Sequence, residues 1–444
     1  MPESAQPDSL GVCLLTDVFP PHSGGSGWST YYLGKALSER GHRVTVLRPV
    51  YGSGTPRPAR RTSRFEALQV EEVLVPEPPA WVKMGAAKVW SQRQARRLLE
   101  KRAMSLVASG TANVLHGQHL VSGIAAVRAA SKGGSGVVSV VTVRDYWPLC
   151  PVSTRLFDGV EGGSFECQEC HHFSSYIRCA GRKGLRRAVR LPLNSARWFN
   201  TLADSKQLAT SDAVIAVSGY VERELARSGR VPASRLRVIP NLVDLPSVDR
   251  ALAGEWPLND ISPEDKFLLF AGKLDTNKGA WQLPEVLAKA KVDLPLVIAG
   301  DSPWRGKLER EATKLGLDFR FYDWLDNDAV LRLMSRAVAL LFPSAWQEPL
   351  SRVLLEGCAA GAAIVALNTG GTEDVIEHGS SGWLAGDLDQ FASGMRNVVT
   401  DAGLNATLRR GARRRAEDKF AAPEVGAQVE ELYRTLLSAK GSRR

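Results

Sequence analysis

Residues 339–367 read ALLFPSAWQEPLSRVLLEGCAAGAAIVAL. Two short apolar runs, Ala339 to Phe342 and Ala363 to Leu367, enclose a segment with the pattern of a helix. A strand, a helix and a second strand of these lengths predict a βαβ unit, which belongs in a parallel sheet. Pro349 is expected in the first turn of the helix, where proline is tolerated.

The same alternation runs through the whole chain. Strands are predicted in the first half at 11–18, 43–48, 112–115, 137–143, 213–217 and 236–239. In the second half they are predicted at 267–271, 296–299, 319–322, 339–342 and 363–367. Each set is large enough for its own sheet, so the fold class is α/β, with two Rossmann-like, doubly wound parallel-sheet domains facing a cleft.

The boundary between these domains is expected near residue 241, because residues 241–264 are rich in Pro, Asp and Ser and show little periodicity. The predicted domains are 1–240, with a cysteine-containing insertion at about 150–180, and 241–420. A C-terminal helix over 421–444 is expected to pack back on the first domain. Residues 56–64 and 76–79 are predicted loops. The 444-residue composition excludes collagen-like, mucin-like and wholly disordered chains.

Positive charge is concentrated in the first half. Residues 1–240 carry 32 Lys and Arg against 18 Asp and Glu, a net charge of +14, whereas 241–444 carry 25 against 29, a net charge of −4. Such a field suits nucleic acid, an anionic membrane or a phosphorylated ligand. No apolar run approaches the ~18 residues of a membrane span. The expected location is the cytoplasm, with peripheral contact at the inner face of the membrane.

Two basic stretches are candidates for that contact. Residues 81–104 combine Trp81 and Trp90 with seven Lys and Arg, and residues 182–190 form a second basic run. The alternative is a solvated helix that packs its aromatic side on the sheet.

Two glycine-containing turns follow predicted strands. Gly24 and Gly25 precede an apolar helix, where backbone N–H groups can approach an anion; a plain tight turn is the alternative. Residues 272–279, GKLDTNKG, place Lys273 and Lys278 around a turn. These two cations could hold a diphosphate and stabilise its charge as a leaving group. Either lysine alone would be interpreted as a solvated surface residue.

The turn after Phe342 carries the most specific motif, in which Glu348 and Glu356 are separated by seven residues. N–H groups of Leu350, Ser351 and Arg352 would face a phosphate at the start of the helix. The two carboxylates could accept hydrogen bonds from sugar and ribose hydroxyls.

With these motifs in order, the chain resembles the retaining family-four glycosyltransferases of the GT-B fold. The segments that carry the resemblance are the Gly24-Gly25 loop, VIPNLVD (238–244), GKLDTNKG (272–279), AGD (299–301), the E-x7-E motif and Gly370-Gly371. The resemblance implies that Lys273 and Lys278 hold the diphosphate of the donor. It also implies that Glu356 binds the nucleotide ribose, that Glu348 contacts the donor sugar, and that Gly24 and Gly25 lie near the phosphates and the acceptor.

Three positions depart from the family pattern. Leu242 stands where the linker motif usually has glycine, and Leu350-Ser351 replaces a common Phe-Gly. Arg144 stands before Asp145 where the family often has histidine, a change that bears on the usual sugar contact and on donor choice.

The resemblance implies transfer of a hexosyl unit, with retention, from a nucleoside diphosphate sugar to a hydroxyl acceptor in polysaccharide or glycolipid assembly. The acceptor is expected to be a saccharide or lipid-linked. The implied mechanism uses no protein nucleophile and no catalytic metal; the leaving diphosphate helps to take the acceptor proton. The alternatives are a GT-B phosphorylase or epimerase, and a basic nucleic-acid-binding protein, although no recognised nucleic-acid module is present.

Four of the six cysteines cluster in sequence, at Cys150, Cys167, Cys170 and Cys179. Their spacing, with a C-x2-C pair in the middle, is compatible with a structural zinc or iron–sulfur site. Unligated or oxidation-sensitive thiols are the alternative.

Overall fold

The computed structural model divides the chain into two compact units. Unit 1 comprises Met1–Gly159, Cys167–Pro240 and Val425–Arg444, and unit 2 comprises Val160–Glu166 and Asn241–Glu424. The structure describes residues 9–21, 23–52, 54–55, 57–79, 82, 84–134, 136–157, 165–167, 173–180, 185–274, 276–301, 305–323 and 325–442.

The first ten strands all precede residue 240. They are β1 (Gly11–Leu15), β2 (Arg43–Val50), β3 (Ala59–Phe65), β4 (Leu68–Leu74), β5 (Val114–Gly117), β6 (Val138–Val143), β7 (Leu156–Phe157), β8 (Phe165–Glu166), β9 (Ala213–Ala216) and β10 (Leu236–Val238). Unit 1 is built on an eight-stranded sheet with the order β10-β9-β6-β5-β1-β2-β4-β3. Its central strands are buried on both faces, which is why they are apolar at nearly every position.

The sheet is parallel except at one edge, where β3 pairs antiparallel with β4. The expectation of a loop over 56–64 is therefore wrong for 59–64. Six of the seven residues of β3 are exposed, and three of them are arginines. A charged edge strand deters pairing with another chain, but it also lacks the apolar alternation by which strands are recognised in a sequence.

Before residue 240, the described residues form six helices beside this sheet. They are α1 (Gly25–Glu39), α2 (Met84–Ala108), α3 (Leu120–Lys132), α4 (Phe173–Ala180), α5 (Leu185–Leu208) and α6 (Gly219–Arg227), with a 3-10 turn at Ala233–Arg235. Between the sheet and helices α2 and α3 lies a core of buried Leu, Val and Ala side chains that includes Leu15, Leu99 and Ala126. This packing fixes the carboxyl ends of β1, β5 and β6 side by side.

Unit 2 has a six-stranded, fully parallel sheet. Its strands are β11 (Leu268–Ala271), β12 (Leu296–Ala299), β13 (Phe319–Tyr322), β14 (Ala339–Phe342), β15 (Ile364–Leu367) and β16 (Trp383–Ala385). The strand order is β13-β12-β11-β14-β15-β16, with β11 and β14 adjacent in the middle. The order reverses direction between these two strands, and ligands bind at such a point in open α/β sheets.

Unit 2 has eight helices among its described residues. They are α7 (Leu245–Leu252), α8 (Leu283–Ala290), α9 (Arg305–Lys314), α10 (Asn327–Arg336), α11 (Arg352–Ala359), α12 (Thr372–Val375), α13 (Leu388–Thr400) and α14 (Ala402–Arg415). Short 3-10 turns occupy Thr276–Lys278 and Ala280–Gln282, and a π-helical turn occupies Ala416–Phe420. Helix α7 lies inside residues 241–264, whose composition suggested a linker. A helix of eight residues is too short to produce a recognisable periodicity in the sequence.

The last helix, α15 (Ala422–Gly441), returns to unit 1 from residue 425 onward. Arg40 Nε lies 2.6 Å from a carboxylate oxygen of Glu430, and Lys440 Nζ lies 2.9 Å from Asp212 and 2.8 Å from the carbonyl oxygen of Val137. Tyr433 is fully buried in the same interface. None of the helices in the described part of the chain combines the length and the hydrophobicity that a membrane span requires.

Candidate active site

The two motif-bearing turns of unit 2 meet at one sheet edge, because β11 and β14 are adjacent and parallel. The carbonyl oxygen of Asn277 accepts hydrogen bonds from the N–H groups of Ala345 and Trp346, at 3.2 and 3.1 Å, and from the Ser344 hydroxyl at 3.2 Å. Three donors on one carbonyl lock the lysine turn to the turn that precedes the E-x7-E helix.

This junction brings Lys278 and Glu348 together. The ammonium of Lys278 donates to Glu348 Oε1, and the Ser344 hydroxyl donates to the same oxygen at 3.2 Å. Glu348 is 4% exposed, so its charge depends on these partners. Lys278 Nζ also lies 5.2 Å from the centre of the Trp346 ring, a cation–π contact. The lysine keeps 29% of its side chain exposed, so a ligand can reach the ammonium.

Two glycines make the close approach of these turns possible. At Gly279 φ is +73°, and a Cβ there would lie 1.7 Å from the carbonyl oxygen of Pro343. At Gly370 φ is +57°, and a Cβ would lie 2.2 Å from the carbonyl oxygen of Glu348, which accepts the N–H of Gly371 at 2.7 Å. Both positions combine left-handed backbone with no room for a side chain.

Helix α11 begins at Arg352, with Ser351 as its N-cap residue. The expectation that Pro349 lies in the first turn is therefore wrong: Pro349 and Leu350 precede the helix, and the backbone turns there. Leu350 and Ser351 are 8% and 4% exposed.

One turn into this helix, Glu356 forms an ion pair with Arg352 at 2.9 Å. Burial raises the pKa of Glu356, and the charge and hydrogen bond of Arg352 oppose that rise. Arg352 also donates to the carbonyl oxygen of Leu242 at 3.4 Å. The pair holds the carboxylate in one orientation at the same end of the sheet as Glu348.

Within the described residues, Lys273 and the glycines of unit 1 take no part in these contacts. Lys273 follows β11 with an exposed side chain, and it forms no ion pair within the described part of the chain. Gly24 is the N-cap residue of α1 and Gly25 is its first residue; both are exposed, in unit 1. Of the predicted site residues, the structure therefore brings together Lys278 and Glu348, with Leu350, Ser351, Arg352 and Glu356 close behind in the same turn and helix.

A second polar cluster lies at the carboxyl edge of the sheet in unit 1; the sequence singled out its Arg144 and Asp145 but not Asp17 and His119. The Asp17 carboxylate accepts the N–H groups of Val121 and Ser122, at 3.0 and 2.8 Å, and so caps α3. His119 Nδ1 lies 3.3 Å from the Thr16 hydroxyl. Burial lowers the pKa of His119 to about 4, helped by Arg144 and opposed by Asp17. The predicted strand at 11–18 hid Thr16 and Asp17, because β1 ends at Leu15 and these two residues already belong to the turn after it.

Arg144 and Asp145, which follow strand β6, belong to the same polar cluster. Arg144 donates to the carbonyl oxygen of Gln118 at 3.1 Å. Burial raises the pKa of Asp145 to about 6, although the N–H of Trp147, 2.8 Å away, opposes the rise. Gln118 is fully buried, and its side-chain amide has no partner among the described residues. A buried amide in this state suits a site that hydrogen-bonds a ligand.

The cysteine segment is only partly described. Cys150 and Cys179 are buried and Cys167 is half-buried, whereas Cys170 lies outside the described residues. Burial raises the pKa of the Cys150 thiol, while N–H groups of Arg155, Val152 and Thr154 act in the opposite direction. Within the described part of the chain, no group of three or more potential ligands is arranged to hold a metal ion.

Two models of known protein families match this chain. The family model described as Glycosyl transferases group 1 matches residues 258–415. The model described as Glycosyltransferase Family 4 matches residues 23–246, half of the chain. The chain belongs to glycosyltransferase family 4. The two models meet close to the boundary between the two units.

Relatives of known name share about half of this family-4 chain. It is 31% identical over 231 residues to a GDP-mannose-dependent alpha-(1-6)-phosphatidylinositol dimannoside mannosyltransferase of Mycobacterium tuberculosis (strain ATCC 25177 / H37Ra), which is 51% of this chain and 59% of the relative. It is 28% identical over 242 residues to a glycogen synthase of Mycobacterium tuberculosis (strain CDC 1551 / Oshkosh), which is 52% of this chain and 56% of that enzyme. The match thus spans less than two thirds of either relative.

Solved structures share the fold over nearly the whole chain. Anabaena HepE in complex with UDP superposes with a TM-score of 0.65 at 17% identity, covering 96% of this chain and all of that one. Sucrose-phosphate synthase from Thermosynechococcus elongatus gives 0.66 at 18% identity, covering 96% and 99%. The fold of this family-4 chain is therefore GT-B.

Proposed function

We propose that the protein is a retaining hexosyltransferase that moves a sugar from a nucleoside diphosphate donor to a hydroxyl acceptor, in the synthesis of a polysaccharide or a glycolipid. The observation that carries this proposal is the Lys278–Glu348 pair, held at the carboxyl edge of the unit 2 sheet next to the buried Glu356. The GDP-mannose dependence of one relative and the UDP bound to HepE support a nucleotide-sugar donor.

The charges of the site suit a departing diphosphate. Lys278 and Glu348 together are neutral, whereas Lys273 adds an exposed positive charge on the same turn, so the three residues carry a net charge of +1. Cations that are already in position stabilise the charge that develops on a leaving group without having to reorganise. In this proposal the diphosphate takes up the acceptor proton as the new glycosidic bond forms, and no covalent sugar–enzyme intermediate is needed.

Different carboxylates would hold different parts of the donor. Glu356, oriented by Arg352, would accept hydrogen bonds from the ribose hydroxyls, and Glu348 would accept them from the sugar. Leu350, Ser351 and Arg352 would lie beside the phosphates. Gly24, Gly25 and the Asp17, His119 and Asp145 cluster would serve the acceptor side. A saccharide or lipid-linked acceptor, reached by peripheral contact with a membrane, is part of this proposal.

The test is incubation of the full chain with a panel of nucleoside diphosphate sugars and mixed acceptors, followed by mass analysis and NMR of the product. Transfer with the anomeric configuration of the donor retained is the expected result. Dependence on orthophosphate would indicate a phosphorylase, and a changed sugar without transfer would indicate an epimerase. Inversion of configuration would contradict the proposed mechanism.

A further inference from the structure

Unit 1 contains a cavity of about 350 Å³ that the proposed donor site does not use. Its walls come from α2, from α5 and from the segment that follows β6; apolar lining is supplied by Val89, Leu120 and Val152. The cavity adjoins the carboxyl edge of the sheet, because Trp147, which lines it, follows Asp145 by two residues.

The charged residues of this cavity are mostly basic. Lys88, Arg93, Arg96 and Arg197 line it, against one acid, Asp204. Arg96 binds both carboxylate oxygens of Asp204, at 2.8 and 3.0 Å, which neutralises the acid. Lys88 and Arg93 are exposed and form no ion pair within the described residues. The cavity therefore holds a net charge of about +3 without a matching anion.

Two buried donors at this cavity have no acceptor in the described structure. Trp147 is 3% exposed, and its Nε1 has no hydrogen-bond partner; the same is true of Arg96 Nε. Buried polar atoms are almost always paired, and a buried donor without an acceptor destabilises the fold. Both atoms are donors that cannot accept, so the missing partner must supply acceptor oxygens.

We infer that this cavity binds a phosphate ester carried by the acceptor. The cations and unpaired N–H donors match the oxygens of a phosphate, and the apolar wall accommodates the group esterified to it. This inference rests on the proposed function, since it names the class of acceptor for the proposed transfer. The same chemistry could reach the cavity as a soluble sugar phosphate or as a lipid headgroup.

The test measures binding of glycerol phosphate to the full chain by calorimetry. Lys88→Gln with Arg93→Gln should weaken it by about tenfold or more, the loss expected from one charge-assisted hydrogen bond. Arg97→Gln with Lys101→Gln is the matched control, because these residues are exposed on the same helix but do not line the cavity. Lys278→Ala should also leave this affinity unchanged, which separates the cavity from the donor site.

Vesicles distinguish the two sources of phosphate. Binding to phosphatidic acid vesicles that falls in Lys88→Gln/Arg93→Gln and is displaced by glycerol phosphate identifies a lipid headgroup. Binding of glycerol phosphate without vesicle binding identifies a soluble acceptor. Glycerol phosphate affinity that does not depend on Lys88 and Arg93 overturns the inference. Failure of the proposed function would give a different result: substitution of Glu356 or Lys278 would leave the affinity for a nucleoside diphosphate unchanged.

Discussion

The hydroxyl of Tyr433 lies 2.6 Å from Nδ1 of His116, although 317 residues separate them. The other ring nitrogen of His116 lies 2.7 Å from the Thr142 hydroxyl. Burial lowers the pKa of His116 and raises that of Tyr433, so both side chains are neutral at pH 7. One nitrogen of a neutral imidazole donates and the other accepts, so this chain of hydrogen bonds ties α15 to the middle of the unit 1 sheet.

Tyr433→Phe should therefore destabilise unit 1. The substitution keeps the ring but leaves a buried nitrogen of His116 without a partner, at a cost of about 1–3 kcal/mol. Urea unfolding measures the change. The control is Tyr322→Phe, which removes a hydrogen bond to Asp260 that is exposed to solvent. An equal loss of stability in both variants would mean that the buried hydrogen bond contributes no more to stability than the exposed one.

Asp145→Asn should raise stability at neutral pH and flatten its dependence on pH. Burial raises the pKa of Asp145 from 3.8 to about 6, so the folded state holds a proton that the unfolded state releases. Wild-type stability should therefore fall as pH rises from about 4 to about 6 and remain lower above it, by an amount on the order of 2–3 kcal/mol. Asparagine can still accept the N–H of Trp147. Thermal unfolding of both proteins from pH 4 to pH 8 makes the comparison, and parallel curves would refute the assignment.

Glu356→Gln should weaken nucleoside diphosphate binding by about 1.5–3 kcal/mol, the value of a charge-assisted hydrogen bond. The substitution keeps the shape of the side chain but removes the charge that the ribose hydroxyls and Arg352 share. Calorimetry with a nucleoside diphosphate measures it. Glu377→Gln, in which an exposed ion pair with Arg415 is lost, serves as the control and should bind normally. Unchanged affinity in both would remove Glu356 from the site.

Glu348→Gln should lower turnover more than it lowers nucleoside diphosphate affinity. The proposed partner of Glu348 is the sugar, which free nucleotide lacks, and Lys278 remains in place to meet the phosphates. Steady-state kinetics and nucleotide-binding measurements on the same preparation separate the effect on turnover from the effect on affinity. A variant with full turnover would show that Glu348 does not contact the sugar in the reaction.

For the cysteine segment we propose one zinc ion or iron–sulfur cluster per chain, held by Cys150, Cys167, Cys170 and Cys179. The proposal rests on the C-x2-C pair of Cys167 and Cys170, with Cys150 and Cys179 nearby in the sequence. Elemental analysis of anaerobically purified protein should find about one site per chain, lost in Cys167→Ser/Cys170→Ser. Four freely titrating thiols with neither zinc nor iron would exclude the site.

Sequence pattern was sufficient for the fold class, and the reason is visible strand by strand. The predicted strands at 296–299, 319–322 and 339–342 agree with β12, β13 and β14 at both ends. Residues that interrupt the pattern mark most of these ends, namely Pro295, Gly300, Asp318, Asp323 and Pro343. The sequence did not predict β3, because its side chains face solvent, or β16, because it has only three residues. Pairing with a neighbouring strand, rather than local composition, makes both segments strands.

For the candidate site, the motif order predicted which turns carry charged residues but not which of them touch. The pairing of Lys278 with Glu348 depends on β11 and β14 being neighbours, which spacing along the chain does not encode. The salt bridge between Arg352 and Glu356, in contrast, could have been predicted, because residues four apart on a helix are neighbours whether it begins at Pro349 or at Arg352.

One connection in unit 2 has a consequence for how this enzyme family diversifies. The N–H of Val243 donates to the carbonyl oxygen of Phe420 at 2.8 Å, and the N–H of Ala422 donates back to Val243 at 3.0 Å. The chain therefore enters and leaves unit 2 at neighbouring points, as an inserted module does. A gene exchange that swaps this module needs two junctions that are distant in sequence but adjacent in space. In the proposed function unit 2 binds the donor, so exchange of this module would change the donor specificity while unit 1 stays the same.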